Sequence, residues 1–310
     1  MHGLVLINGY PNGEKFYRQG ERIAEELRKL GIKTDVLRNG EVFAILQANG
    51  KISSSMAQKY NFVVYLDKDK YLGKMLENIG LRLFNRMSAI EACDDKMLTY
   101  LALRGAGVPL IKSISAPLCY TRGAKANEQF LKEVAVELGF PLVVKKSYGS
   151  FGAGVQLVPG MPELIKTANE FLQEPHFFQQ FIAEASGRDI RVIVIGGKAV
   201  AAMERVAKEG EFRSNIELGG EGRAIEISSE VALVAEKAAK TLGLDYCVVD
   251  ILQSKEGAII CEVNSNAFFE GLERATGVNV ARLYAEYIVN IYSNCKSLDK
   301  AKDLCYNIAD

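Results

Sequence analysis

Over residues 1–90, short apolar runs alternate with stretches of helical periodicity. Gly3–Asn8 reads as a buried strand. Residues 14–30 follow as an amphipathic helix, with Phe16, Ile23, Ala24, Leu27 and Leu30 on one side and Gly31 as its stop. Ile32–Leu37 and Phe62–Leu66 read as strands. Met75–Ile79 sits in a helix before a strand at Leu81–Phe84. This alternation predicts a small open α/β unit ending near residue 90. A helix is then expected from a cap at Asp94 to about Arg104, with Met97, Leu98, Leu101 and Ala102 inward. Gly105 and Gly107 stop it, and Pro109 prevents its continuation.

A second helix covers 127–138, and the rhythm then changes to hairpins. Pro141–Lys146 and Gly154–Val158 flank the glycine-rich stretch SYGSFGAG. Ile190–Ile195 and Lys198–Glu204 flank Gly196-Gly197, a turn of the strained kind that glycine permits. A helix over 230–242, begun at Ser228 or Ser229 and stopped by Gly243, leads into the hairpin YCVVDILQSKEGAIICEVN. The expected divisions are 1–90, 91–178 with the glycine-rich loop, 179–293, and a polar tail over 294–310.

The last hairpin carries the most chemistry. A three-residue loop Lys255-Glu256-Gly257 would set Ser254 opposite Ala258 and so Asp250 opposite Glu262. Opposed residues share a face, and Asn264, two further on, shares it too. Two opposed carboxylates repel each other, and a divalent cation would relieve that. An all-oxygen set with room for water and phosphate suits Mg²⁺ better than zinc. The spacing fits equally a solvated sheet face with ordinary polar residues.

In the glycine-rich loop, Gly149, Gly152 and Gly154 can lay backbone N–H groups against phosphate oxygens; a plain surface turn has the same look. Lys145 and Lys146 precede it, and alternation sends them to opposite faces. Lys96, Arg213, Asp189 and Arg191 are further charged candidates, with solvated surface roles the ordinary alternative; Asp189 and Arg191 could pair with each other.

Composition narrows the choices. The chain has 310 residues, enough for two or three compact units, with 38 basic and 38 acidic side chains. Zero net charge gives no reason to expect nucleic acid or an acidic membrane as partner. Two histidines leave little for a His triad or multi-His zinc site, and neither G-x-S-x-G nor G-x-x-x-x-G-K-[ST] occurs. Six scattered cysteines form no C-x-x-C pair, and no apolar run approaches the ~18 residues of a membrane span. A cytoplasmic location is expected.

Taken together, six segments resemble the ATP-grasp superfamily and, within it, RimK-type ligases. They are CDDK (93–96), GFPLVVKKSYGSFGAGV (139–155), QQFIAEASGRDIRV (179–192), AAMERVAKEGEFRSN (201–215), LDYCVVDIL (244–252) and CEVNSN (261–266). Their order and spacing agree with the family through most of residues 86–292. The resemblance implies an α/β (α+β) ATP-grasp fold, with an N-terminal pre-grasp domain and two subdomains gripping ATP. It implies Lys96 and Lys145 on the phosphates, with Gly149, Ser150 and Gly152 of the loop over them. It places Gln179, Gln180, Phe181 and Ile182 at a hinge bordering the adenine, and Asp189 beside the ribose. Arg213 would meet the γ-phosphate, and Asp250, Glu262 and Asn264 would hold two Mg²⁺ ions, with Mn²⁺ a substitute.

The implied chemistry is amide formation between a carboxylate, on a protein or peptide tail among others, and an amine such as glutamate, through an acyl phosphate. Another ATP-grasp peptide or cofactor ligase, or a non-catalytic nucleotide-binding regulator, are the alternatives. The family's habit of forming dimers or tetramers implies a homo-oligomer. Two departures stand out: Gln180 where glutamate is frequent, and Phe268-Phe269 where a small residue–Pro–Gly stretch is usual on the substrate side.

Overall fold

A computed structural model describes residues 1–11, 13–150 and 152–296, with the side chains of 217 and 293–296 left aside. The expected tail over 294–310 falls mostly outside the described residues; its first three positions continue the last helix.

Near-continuous apolar runs dictate the N-terminal sheet. Leu4–Ile7 and Phe62–Tyr65 are fully buried, the signature of parallel strands covered on both faces. Strands β1 (His2–Ile7), β2 (Lys33–Arg38), β5 (Phe62–Leu66) and β6 (Arg82–Phe84) form a parallel sheet in the order β2-β1-β5-β6; the ribbon β3 (Ile45–Leu46) and β4 (Ile52–Ser53) lies beside it. Helix α1 (Lys15–Lys29) covers one face, with Ile23, Ala24 and Leu27 against Val5 and Phe62. Helices α2 (Lys70–Asn78) and α3 (Met87–Asp94) cover the other, packing Leu72, Leu76 and Met87 against Leu4, Val63 and Tyr65.

Next comes helix α4 (Lys96–Leu103), which differs from expectation in two ways. Its cap is Asp95, whose Oδ1 accepts the N–H groups of Met97 and Leu98 at 2.8 and 3.0 Å. Its buried face is Lys96, Thr99, Tyr100 and Leu103, while Leu98 and Leu101 are 49% and 45% exposed. Polar anchors override hydrophobic periodicity here: the Tyr100 hydroxyl donates to Ile260 O at 2.8 Å and Thr99 Oγ1 to Ala92 O at 2.8 Å.

The second sheet has strands β7 (Ser113–Ser115), β8 (Leu142–Lys146), β9 (Val155–Val158) and β10 (His176–Gln180) in the antiparallel order β7-β10-β8-β9. Helices α5 (Glu128–Leu138) and α6 (Met161–Phe171) cover one face through Leu131, Val134, Leu164 and Phe171. The pattern of hairpins alone had left no place for α6, which Gly160-Met161-Pro162 begins. The uncovered face presents Val143, Lys145 and Gln179 to a cleft.

The third sheet is β13-β12-β11-β14-β15, from β11 (Arg188–Ile195), β12 (Lys198–Val206), β13 (Glu221–Ala224), β14 (Tyr246–Ser254) and β15 (Gly257–Asn264). Helix α7 (Ser229–Leu242), capped by the Ser228 hydroxyl and ended by Gly243 at φ +67°, covers one face with Val231, Ala235 and Ala239. The opposite face changes character along its length. Ile193, Ala201, Met203, Tyr246 and Val248 pack on helices α8 (Glu270–Thr276) and α9 (Val280–Lys296) and on the N-terminal unit. Farther along the same strands, the same face carries Asp189, Arg191, Arg205, Asp250 and Glu262. The charged half stands opposite the bare face of the second sheet.

Candidate active site

The β14–β15 hairpin sets the site by a route the loop count did not foresee. Its turn is two residues, Lys255-Glu256, with Ser254 opposite Gly257 rather than Ala258. A bulge at Cys261, between the pairs Ile251–Ile260 and Asp250–Glu262, then restores the expected opposition. Asn264 pairs with Val248 on the same face.

Asp250 is 3% exposed and doubly tied to guanidinium groups. Arg191 grips it with both arms, Nε to Oδ1 at 2.8 Å and Nη2 to Oδ2 at 2.7 Å. Arg205 Nη2 lies 3.1 Å from Oδ2. Burial pushes this carboxyl up, but Arg191 and Arg205 outweigh it and hold it at about 2. Arg205 also donates to both oxygens of Asp189, through Nε at 2.7 Å and through Nη2. Asp189 therefore pairs with Arg205, and not with Arg191. Burial pushes its carboxyl up, with Arg205 pulling the other way and Asp250 adding repulsion. Arg205 is 2% exposed and had no place in the sequence reading; its only signal was its register opposite Asp189 on an otherwise apolar strand face.

The remaining cations come from three elements. Lys96 Nζ, at the start of α4, donates to Gly149 O at 2.7 Å and lies 3.4 Å from Glu262 Oε1. The turned face of α4 is what brings it there. Lys145 points into the cleft, with Nζ 3.7 Å from Cys261 Sγ, while Lys146 leaves the other face to meet Glu174 at 2.6 Å. Arg213 donates from Nη1 to Gly152 O at 3.0 Å and from Nη2 to Glu211 Oε2 at 2.8 Å. That hydrogen bond depresses the Glu211 carboxyl to about 2. Gln179 Nε2 donates to Ser113 Oγ at 2.9 Å, and Phe181 meets Phe212 edge to face.

A cavity of about 120 Å³ lies between the second and third sheets. Lys96, Lys145, Gly149, Ser150, Gly152, Gln179–Ile182, Asp189, Arg213, Asp250 and Glu262 all line it. Asn264 instead lines an adjoining cavity, which Glu262 shares. Among the described residues, no group of three or more His, Cys, Asp or Glu side chains could hold a metal. Two carboxylates and an amide on one face still fit a hard cation that draws its other ligands from phosphates and water. For that, Asp250 must exchange Arg191 for the ion. The four described cysteines, Cys93, Cys119, Cys247 and Cys261, are free thiols, and among the described residues no helix is long and apolar enough to cross a membrane.

Comparison with known proteins agrees in extent with this geometry. The RimK-like ATP-grasp domain family model matches residues 93–288. A probable alpha-L-glutamate ligase of Thioalkalivibrio sulfidiphilus is 38% identical over 219 residues, 69% of each chain. Beta-citrylglutamate synthase B of Danio rerio is 34% identical over 230 residues, 74% of this chain and 55% of that protein. The chain thus spans little more than half the length of such synthases. The solved D-alanine–D-alanine ligase of Bacillus anthracis with ATP has a similar fold, at a TM-score of 0.71 and 19% identity, covering 96% of this chain and 99% of that one. The chain belongs to the RimK-like ATP-grasp family.

Proposed function

We propose that the chain is an ATP-dependent carboxylate–amine ligase. The observation that carries this is the convergence of Lys96, Lys145 and Arg213 from three elements on the cleft face holding Asp250 and Glu262. No nucleophile–base pair is needed, and the work is charge control between two anions.

In the first step, a substrate carboxylate oxygen forms a bond to the γ-phosphorus of ATP. The bond to the β–γ bridging oxygen breaks, its electron pair leaves with ADP, and an acyl phosphate results. In the second, an uncharged amine bonds to the acyl carbon, the bond from that carbon to the phosphate oxygen breaks, and the amine's proton ends on the departing phosphate. Lys96 and Lys145 offset the triphosphate charge from two sides. Arg213 faces the charge that develops during transfer. Gln179–Ile182, where the second sheet leads into the third, would border the base, and Asp189 the ribose. Asp250, Glu262 and Asn264 would hold two Mg²⁺ ions, or Mn²⁺ in their stead, which neutralise phosphate oxygens when bound. The amine is an amino acid such as glutamate, by analogy with the named relatives. The carboxylate is carried by a small acid or a peptide tail. A cytoplasmic supply of ATP suits the reading.

Incubation with ATP, Mg²⁺, pooled carboxylates and pooled amino acids should form ADP over many turnovers only when both pools are present, with at most about one equivalent per enzyme from the carboxylates alone. Asp250→Asn and Glu262→Gln should stay folded by circular dichroism and lose ADP formation by about 100-fold or more. Wild-type turnover in either variant would remove the metal assignment, and tight ATP binding with no turnover under any pool would favour a nucleotide-binding regulator.

A further inference from the structure

The larger cavity, about 650 Å³, adjoins the cleft through shared Ser150, Arg205, Asn215 and Glu262. At roughly 30 Å³ per water it would take about twenty, far more than the reacting carboxylate alone needs. Its floor is the carboxyl edge of the N-terminal parallel sheet. Strand order β2-β1-β5-β6 reverses direction between β1 and β5, and Asn8 and Asp67 follow those two strands directly. Crevices at such reversals are where open α/β sheets bind ligands.

Two features give this cavity a chemical preference. Six basic side chains line it, Lys15, Arg18, Lys68, Arg191, Arg205 and Arg274, against three acidic ones. Four of the six are paired with carboxylates, Arg18 with Glu270, Lys68 with Asp94, Arg191 with Asp250 and Arg205 with Asp189, so the charge favours an anion only weakly. One wall is aromatic: Phe16, from the first turn of α1, and Phe268, from the loop after β15, meet edge to face at 4.9 Å. Lys15 Nζ sits 4.9 Å from the Phe268 ring centre. Phe269, by contrast, is 2% exposed in the core. The loop carrying Phe268 is held fast, because Ala267 O accepts from Tyr246 Oη at 2.9 Å and from Gln19 Nε2 at 3.3 Å. Phe268 thus presents a half-buried, fixed apolar face to a cavity that opens onto the proposed phosphate-transfer centre.

We propose that the carboxylate substrate of this chain has an aromatic body. Its carboxylate reaches the γ-phosphate past Glu262, its ring packs on the Phe16–Phe268 wall, and small polar acids are poor substrates. This rests on the ligase reading for the chemistry, but the pocket can be tested by binding alone.

The measurement is calorimetric titration of the full chain, with ADP and Mg²⁺ present, against four probes. They are 3-phenylpropanoate, succinate, N-acetyl-Gly-Phe and N-acetyl-Gly-Glu. The aromatic member of each pair should bind at least about tenfold tighter, since a ring lost from such a wall is worth an aromatic contact. The free-acid pair and the peptide pair tell which source of the chemistry fits. Phe268→Ala and Phe16→Ala should each weaken the aromatic probe about tenfold, with Phe268→Tyr restoring it and ADP affinity unmoved. Equal binding of aromatic and acidic probes, or no loss in both alanine variants, overturns the proposal. ADP formation with acids of every kind alike would also overturn it while leaving the ligase reading intact. Selective aromatic binding without turnover would uphold the pocket and count against the ligase.

Discussion

Asp250 is shared by two guanidinium groups, and this decides how a divalent ion would reach it. Arg191 holds both of its oxygens, and Arg205 sits 3.1 Å from one of them. A cation and Arg191 therefore compete for one carboxylate. Arg191→Met removes the competitor and a nearby positive charge, and both changes act in one direction. Mn²⁺ binding followed by electron paramagnetic resonance should be several-fold tighter in this variant than in wild type, whatever its turnover. Unchanged Mn²⁺ affinity would show that Asp250 is not a ligand. Arg213 has the converse character. It is held by Glu211 and Gly152 O, so its ground-state partners are already within the protein. Arg213→Ala should lower kcat by about 100-fold with a far smaller change in ATP affinity, because in the proposed mechanism its substrate partner is charge that develops in transfer. Equal losses in ADP affinity and kcat would contradict this.

At the scale of elements, β10 carries a protonation-sensitive position. His176 is 5% exposed, its ring lies 5.5 Å from that of Phe178, and its Nδ1 is bonded to Glu174 O at 2.9 Å. Burial lowers its pKa, with the Glu174 carbonyl pulling weakly the other way. The unfolded chain then takes up the proton first. Stability is complete above the ordinary histidine value of 6.5 and declines as pH falls toward the depressed folded value. The thermal midpoint should fall between about pH 7.5 and about 5.5, and His176→Gln should lower it overall but flatten that slope. A parallel slope in the variant would place the titration elsewhere.

Elements also show what a reader of sequence can and cannot reach. The four strands of the N-terminal parallel sheet and helices α1, α5 and α7 were legible within a residue or two because their apolar period is uninterrupted, whereas the short exposed ribbon β3–β4 carries no such period. The inward face of α4 was not, because Tyr100 and Lys96 are placed by a hydrogen bond and a charge that periodicity does not weigh. Asp250 opposite Glu262 was legible only because two local misreadings offset each other, a shorter turn and a bulge at Cys261. Arg205 was hidden, since an arginine ending an apolar strand looks like a strand leaving the core. Its role depends on Asp189, sixteen residues away across a hairpin.

At the scale of the whole molecule, one buried amide sits at the centre of the junction between the N-terminal unit and the third sheet. Asn85 follows β6 of the N-terminal unit, is 1% exposed, and makes four bonds to the third sheet. Its Nδ2 donates to Tyr246 O at 2.7 Å and Ser265 O at 2.9 Å; its Oδ1 accepts from the N–H groups of Asp245 at 2.7 Å and Tyr246 at 3.0 Å. Beside it, Arg82 holds Asp245 at 2.6 Å. Core residues of both units, such as Val5, Phe62, Ile193 and Tyr284, pack in one cluster. The N-terminal sheet should therefore unfold with the third sheet in one transition, with circular dichroism and tyrosine fluorescence melting together. Because Ser265 is the neighbour of Asn264, the same amide fixes one edge of the proposed metal site. Asn85→Ala would orphan two buried N–H groups and two buried carbonyls, at about 1–3 kcal/mol for each group left without water. For a chain of this size that corresponds to a thermal midpoint lower by roughly 10 °C or more. Asn85→Asp keeps the acceptor but sets a carboxylate oxygen against the two buried carbonyls, and should be destabilised at least as much. Both variants should lose ADP formation beyond what instability explains, measured at a temperature where they remain folded. A shift of Asn85→Ala below about 2 °C would mean that water replaces the amide freely, and that the two units are held by packing alone.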